Sequence, residues 1–264
     1  MFWYTVFFTV VVAVPVLMIE FDRRFSCGCS ARNYYVDDFP RMFLGIYNTL
    51  LHLISDARPI LPLSCFPHHH LLQGNWERIK EEMLWVYRNA SIPALHEVVP
   101  TQSRISDKRW KVFILQWYKG MIPTNCELCP FTVSLIAQIP ELHLAMFSIL
   151  EPHKHIPEHK GVFKGCLRYH LGLAVPKNGK SYIEVNGQSH AWREGEGFLF
   201  DDTYRHQVVN DTDEVRVVLF CDIERPLPFP FNKLNRLFNR HVVGRTEFVK
   251  RANDRAEIRG MARP

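Results

Sequence analysis

Between Met1 and Ile19 the sequence has no charged residue, and the basic start that opens a secretory signal is missing. No small-residue A-x-A site follows before Glu20, so removal of this segment as a signal peptide is not expected. At about 1.5 Å per residue, a helix over these residues nearly spans a hydrocarbon core of about 30 Å. The run is apolar on all faces rather than along one stripe, which favours a bilayer over a helix half-buried on a globular body. Arg23, Arg24 and Arg32 flank its C-terminal end. Because Lys and Arg mark the cytoplasmic flank of a span, the expectation is a single-pass anchor with the body of the protein in the cytosol.

Cysteine is not deployed in pairs. Its seven residues are an odd number, which fits a reducing compartment better than a disulfide framework. Cys126 and Cys129 form a C-x-x-C, but no second pair stands at zinc-ribbon spacing and no βαβ pattern surrounds it, so the motif reads as incidental. There is no fixed-period repeat and no low-complexity tract, and 47% hydrophobic with 13% aromatic residues excludes a disordered chain. A length of 264 residues suits one large core.

Beyond the anchor, RMFLGIYNTLLHLI (41–54) is apolar yet too short to cross a bilayer, so it reads as an interfacial or core helix in a juxtamembrane stretch extending to residue 75. Pro59, Pro62 and Pro67 mark an irregular linker, and His68, His69 and His70 beside them have linker composition with no further ligand nearby. Asn75 can cap a helix WERIKEEMLWVYRNA, with Ile79, Met83 and Val86 at helical spacing. From Trp110 the character changes. KVFILQWY, FSIL, LRYHLGLAV, YIEV, GFLF and VRVVLFCDI are short β-rich runs separated by Gly, Pro, Asn and Asp, the rhythm of a sandwich or jelly roll with helices packed on its N-terminal side. Asn186-Gly187 predicts a type I′ hairpin between YIEV and QSHAW. The division expected is anchor 1–19, juxtamembrane segment 20–75, a helix-supported β domain 76–230 and a basic tail 231–264.

The β region holds His153, His155, His159, His170, His190 and His206. A mononuclear oxygenase iron usually takes two histidines and one carboxylate. No His-x-Asp or His-x-Glu occurs among these six, and His159 is followed two residues later by Gly161, so spacing alone leaves loop and core roles open for all of them.

The runs HKGVFKGCLRYHLGLAVP, AWREGEGFLFDDTYRH and RVVLFCDIERPL resemble, in that order, the aspartyl/asparaginyl β-hydroxylase family of 2-oxoglutarate oxygenases. The resemblance implies a mainly β fold with flanking helices around a double-stranded β-helix (jelly-roll) core. It also implies Fe(II) held by His159 and His206, with glycine at 161 in place of the usual carboxylate, and 2-oxoglutarate and O2 as cosubstrates. Arg216 matches the arginine that pairs with the distal carboxylate of 2-oxoglutarate, for which a guanidinium fork is suited. Ser148, Arg168, His170 and Trp110 match further cosubstrate-site positions, while Asp201 and Asp202 remain either orienting groups or simple turn residues.

Within that family the chain is most similar to the branch that hydroxylates an acyl chain of bacterial lipid A, through YNTLLHL, NWERIKEE, QWYKG, LCPFTVSLIAQIP, LRYHLGL and FCDIERPL. This implies carbon-2 hydroxylation of a secondary acyl chain of lipid A at the cytoplasmic face of the inner membrane, with peptidyl Asp/Asn hydroxylation as the alternative. An anchored enzyme meets an insoluble lipid in two dimensions, which agrees. The tail after Arg225 holds nine Lys or Arg against three Asp or Glu, a net of +6, whereas the whole chain is +5. Read as a helix, KLNRLFNRHVV places Leu234, Leu237, Phe238 and Val242 along one face among basic residues suited to anionic headgroups, or forms a solvated basic helix.

Overall fold

The computed structural model describes residues 6, 9–27, 39–118, 120–241, 243 and 247–258. Its centre is a pair of antiparallel sheets. Among the described residues eleven strands build them: β1 Ile60–Leu61, β2 Trp110–Trp117, β3 Gly120–Met121, β4 Leu142–Leu150, β5 His155–His159, β6 Cys166–Ala174, β7 Ser181–Val185, β8 Gln188–Ala191, β9 Gly197–Phe200, β10 His206–Asn210 and β11 Arg216–Glu224. One sheet runs β1-β9-β6-β11-β4-β2-β3 and the other β5-β10-β7-β8. From β4 onward the chain passes back and forth between the sheets, and that winding is the double-stranded β-helix, or jelly roll.

Alternation along the strands explains why the larger sheet is buried on both sides. In β6, Leu167, Tyr169, Leu171 and Leu173 join an outer apolar core, while Arg168 and His170 point between the sheets. In β11, Val217, Leu219, Cys221 and Ile223 face the outer core, and Arg216, Val218 and Phe220 face inward. Burying both faces accounts for continuous apolar runs such as LHLAMFSIL in β4, where every residue is buried.

The helix Trp76–Asn89 covers the outer face with Ile79, Met83 and Val86, as their spacing predicts. Its buried Glu82 accepts the backbone N–H groups of Phe131 and Thr132 and the Thr132 hydroxyl, at 2.7–2.8 Å, and so caps the helix Pro130–Ile136. Asn75 does not cap its own helix. Its amide donates back to the Leu71 carbonyl at 2.8 Å, because the short helix His69–Gln73 immediately precedes it. The proline-bounded linker also departs from expectation: Ile60 and Leu61 pair with Phe200 and Leu199 and extend the larger sheet at its edge. The Asn186-Gly187 turn has φ of 50° and 78° and joins β7 to β8, as a type I′ hairpin requires.

The chain is helical through Thr9–Ala13, Val14–Phe21 and Asp22–Cys27, and a second helix, Phe39–Ile54, packs beside it. The Thr49 hydroxyl donates to the Met18 carbonyl at 2.8 Å, and Asn48 contacts buried Asp22. Among the described residues no helix is long and apolar enough to cross a membrane. Residues 1–5, 7 and 8 of the predicted anchor lie outside the described residues, as do Arg32 and Val242, and the described remainder does not form the spanning helix expected. Arg23 and Arg24 both reach Glu20, at 2.5 Å.

Candidate active site

Two adjacent strands of the smaller sheet bring His159 and His206 together. They are direct partners in the antiparallel register of β5 and β10, and their ring centroids are 4.1 Å apart. Neither strand was expected from the sequence. β5 (HIPEH) carries a proline and mostly exposed residues, and β10 (HQVVN) is short, so neither shows a long apolar alternation.

Each imidazole is oriented from behind. His159 Nδ1 lies 2.8 Å from the Pro157 carbonyl, and His206 Nδ1 lies 2.9 Å from the Tyr204 carbonyl. A carbonyl only accepts, so both Nδ1 atoms carry hydrogen and both Nε2 atoms keep a free lone pair. Burial lowers the pKa of His159, and burial together with the neighbouring His159 pushes His206 down to about 3. Both rings are therefore neutral at pH 7, the state that ligates a metal.

At the far end of the same cavity, Arg216 is 1% exposed. Its Nη1 reaches the Ser148 carbonyl at 3.5 Å, its guanidinium carbon lies 4.6 Å from the Trp192 ring centre, and its Nε has no partner. No carboxylate among the described residues pairs with it, and burial alone lowers its pKa to about 9. An uncompensated buried cation is costly unless an anion arrives. Both nitrogens of buried His170 are also without partners, while Trp110 Nε1 donates to Ser148 Oγ at 3.1 Å. The donor set is that of a receptor for an anionic ligand.

The mouth beside the histidines is carboxylate-rich. Arg168 is held between Asp202, at 2.9 Å, and Asp222, at 2.9 and 3.3 Å, with its guanidinium over Phe220. Burial raises Asp202 to about 6 against the opposing pull of Arg168. Asp202 also meets Gly161, whose N–H donates to the Asp202 carbonyl at 2.7 Å. Asp201, next to it, turns away into a buried cluster with Lys164 and Arg225. The pair of aspartates thus divides, one toward the histidines and one toward the scaffold.

All seven residues singled out from the sequence, Trp110, Ser148, His159, Arg168, His170, His206 and Arg216, line this one cavity. Trp192, Phe220 and Asp222 were not singled out. Phe220 lies inside a strong strand signal, Trp192 follows the short polar strand Gln188–Ala191, and nothing in the sequence says which of them faces the pocket. The remaining candidates lie elsewhere: His68 Nδ1 is 2.5 Å from Glu141, His69 bonds Gln73, and Cys126 and Cys129 form no disulfide and stand away from the cavity. Among the described residues no cluster of three or more His, Cys, Asp or Glu could hold a metal, so the cavity offers a histidine pair and no triad.

Fold and pocket together define a jelly-roll protein with paired neutral histidines facing a buried, unpaired arginine between its sheets. The model of the family aspartyl/asparaginyl beta-hydroxylase matches residues 73–226, and the chain belongs to that family. It is 38% identical over 200 residues to an ornithine lipid ester-linked acyl 2-hydroxylase of Rhizobium tropici, covering 74% of this chain and 70% of that protein. It is 32% identical over 162 residues to the human aspartyl/asparaginyl beta-hydroxylase, covering 59% of this chain but only 21% of that one. Likeness to solved structures is slighter: a predicted oxalate decarboxylase from Thermotoga maritima shares 19% identity over 34% of this chain and 72% of that one, with a TM-score of 0.28.

Proposed function

We propose that this family member is an Fe(II)- and 2-oxoglutarate-dependent dioxygenase that hydroxylates carbon 2 of an acyl chain in a membrane lipid. The observation that carries the reading is the opposition of two neutral, Nε2-free histidines to a buried arginine without a counter-ion across one cavity. His159 and His206 would hold the metal. Arg216 would take the distal carboxylate of 2-oxoglutarate, with Ser148, Trp110, His170 and Arg168 lining its seat. When bound, Fe(II) with 2-oxoglutarate and O2 supplies oxygen insertion into an unactivated C–H bond. The chain's own task is orientation and dryness: Ile156, Ile183, Phe200, Val208 and Phe220 wall the cavity and limit water. Asp202 fills the space beside Gly161 and pairs with Arg168 at 2.9 Å.

A lipid substrate is supported by the likeness to an acyl 2-hydroxylase over most of that relative's length. Resemblance in the sequence favours a secondary acyl chain of lipid A, met at the cytoplasmic face of a bacterial inner membrane by a protein anchored through residues 1–19. Ornithine lipid is the competitor that the relative brings. Peptidyl Asp/Asn hydroxylation is a second reading, favoured by the likeness to the human enzyme.

The test is succinate release by purified protein with Fe(II) and 2-oxoglutarate, offered lipid A, ornithine lipid or a disulfide-rich peptide in turn, with mass spectrometry of each product. Lipid-dependent succinate and one added oxygen on an acyl chain are expected, both abolished in His159→Ala and His206→Ala. Oxygen appearing on the peptide alone would overturn the lipid reading, and no succinate with any of the three would overturn the enzyme assignment.

A further inference from the structure

The helix Phe231–His241 packs the wrong way round for a soluble protein. Its buried residues are Asn235 and Asn239, while Leu234 and Leu237 are each 53% exposed. The expected stripe of Leu234, Leu237 and Phe238 is thus divided. Phe238 turns inward to stack on Tyr47, with ring centres 4.6 Å apart, and the leucines face out. The inward asparagines are anchored: Asn235 Nδ2 donates to the Gly165 carbonyl at 2.9 Å, and its Oδ1 accepts from the Tyr47 hydroxyl at 2.8 Å. Rotating the helix to bury the leucines would break these bonds, so the leucine exposure is fixed by the fold.

The rest of the outward face is basic and apolar. Lys233 and Arg240 are exposed around the leucines, Arg236 is exposed but its Nε donates to Glu224 at 3.0 Å, the helix itself contains no Asp or Glu, and Phe229 just before it is 73% exposed. Leucine, an aromatic and interleaved cations without acidic residues is the composition of an interfacial helix, complementary to an anionic headgroup layer over acyl chains.

This face is tied to the candidate active site by a short loop. Phe163, four residues beyond His159, stacks on Phe238 at 5.7 Å and on Tyr47 at 6.0 Å, and Val162 between Gly161 and Phe163 is exposed. A surface that covers Leu234 and Leu237 therefore lies at the same end of the molecule as His159.

We infer that the outward face of Phe231–His241, with Phe229, seats the protein on an anionic lipid bilayer and turns the histidine end of the cavity toward it. The inference deepens the lipid-hydroxylase reading and rests on it for the purpose of the seat, while the seat itself is read from the helix.

The test uses the full metal-free chain with vesicles of phosphatidylglycerol and phosphatidylethanolamine, and with vesicles of phosphatidylcholine alone. Hydrogen exchange across residues 231–241 should slow on the anionic vesicles only. Leu234→Gln with Leu237→Gln should remove most of that slowing whether or not residues 1–19 hold the chain on the vesicle, with an unchanged melting temperature because both side chains are exposed. Lys233→Glu with Arg240→Glu should abolish the preference for anionic vesicles. The inference is overturned if exchange in 231–241 is unaffected while the protein still sediments with vesicles, or if the leucine pair proves to be covered by a second copy in a concentration-dependent dimer. Vesicle seating without lipid hydroxylation would sink the catalytic reading alone.

Discussion

A Cβ built on Gly161 would lie 2.2 Å from Oδ2 of Asp202, so the carboxylate of one residue fills the space that a side chain at the other would need. The place two residues beyond His159, where a metal-binding carboxylate would ordinarily arise, is thus filled from the turn between β9 and β10. Absence of a carboxylate at 161 and presence of one at 202 are two sides of one packing arrangement. Gly161→Ala should displace Asp202 and cost about 1–3 kcal/mol of stability, as overpacking does, with at least a tenfold fall in succinate release. Urea unfolding and a turnover assay read the two effects. An alanine variant indistinguishable from the parent in both would show that the contact relaxes freely.

Arg216 should reveal itself by opposite effects on stability and binding. In the ligand-free fold it is buried without a carboxylate, so Arg216→Met removes an uncompensated charge and should raise the melting temperature of the metal-free protein. The same change should raise the KM for 2-oxoglutarate at least a hundredfold, since a charge-assisted fork is lost. Thermal scans and cosubstrate titrations decide it. A variant that melts lower and binds 2-oxoglutarate normally would assign Arg216 to structure alone.

Much of this was legible before the structure, for identifiable reasons. Strands of the larger sheet are buried on both faces and read as unbroken apolar runs, and the positive-φ pair Asn186-Gly187 marks its hairpin. The strands bearing His159 and His206 were silent because β5 is mostly exposed and contains Pro157, and β10 is only five residues long with polar residues at both ends. The histidine pairing came from resemblance and not from periodicity. The tail helix misled for a different reason: apolar spacing identifies a stripe, but buried Asn235 and Asn239 hold the inward side through hydrogen bonds that spacing does not register.

Three pocket histidines should make the metal-free protein acid-sensitive. Burial lowers the pKa of His159 and His170, and burial with His159 holds His206 at about 3, whereas unfolded histidine titrates near about 6.5. With folded values depressed, their contribution is complete above about pH 6.5 and is lost as pH falls toward the folded values. Asp202 runs the other way: burial raises it to about 6, so the fold favours its protonated form and gains as pH falls through that value. The histidines outnumber it, so the free energy of unfolding should drop between pH 7.5 and 5. The slope should steepen in Asp202→Asn and flatten by up to one proton in His170→Gln. Stability that is level or rising toward pH 5 would mean the rings are not held neutral.

Asp201 joins the site to the scaffold, and its removal should be the most damaging single change outside the pocket. Its carboxylate is fully buried and accepts from Lys164 at 2.7 Å, Arg225 at 2.5 Å and the Thr203 hydroxyl at 2.6 Å. Burial opposes its ionisation, yet Arg225 and Lys164 hold its pKa below the usual carboxylate range. Arg225 also donates to the carbonyls of Lys164 and Asp56, and Tyr204 donates to the Ala57 carbonyl, so the β9–β10 turn, the β5–β6 loop and the segment leading to β1 meet at this one anion. Asp201→Asn leaves two buried cations facing a neutral amide, for which about 3–5 kcal/mol is expected. Because the turn it braces carries both Asp202 and His206, Fe(II) affinity should fall with it. Adding Lys164→Met to Asp201→Asn removes one stranded cation and should recover part of the stability. A cost for Asp201→Asn below about 1 kcal/mol, the range of exposed ion pairs, would mean that water reaches the cluster and that the turn is held by its backbone alone.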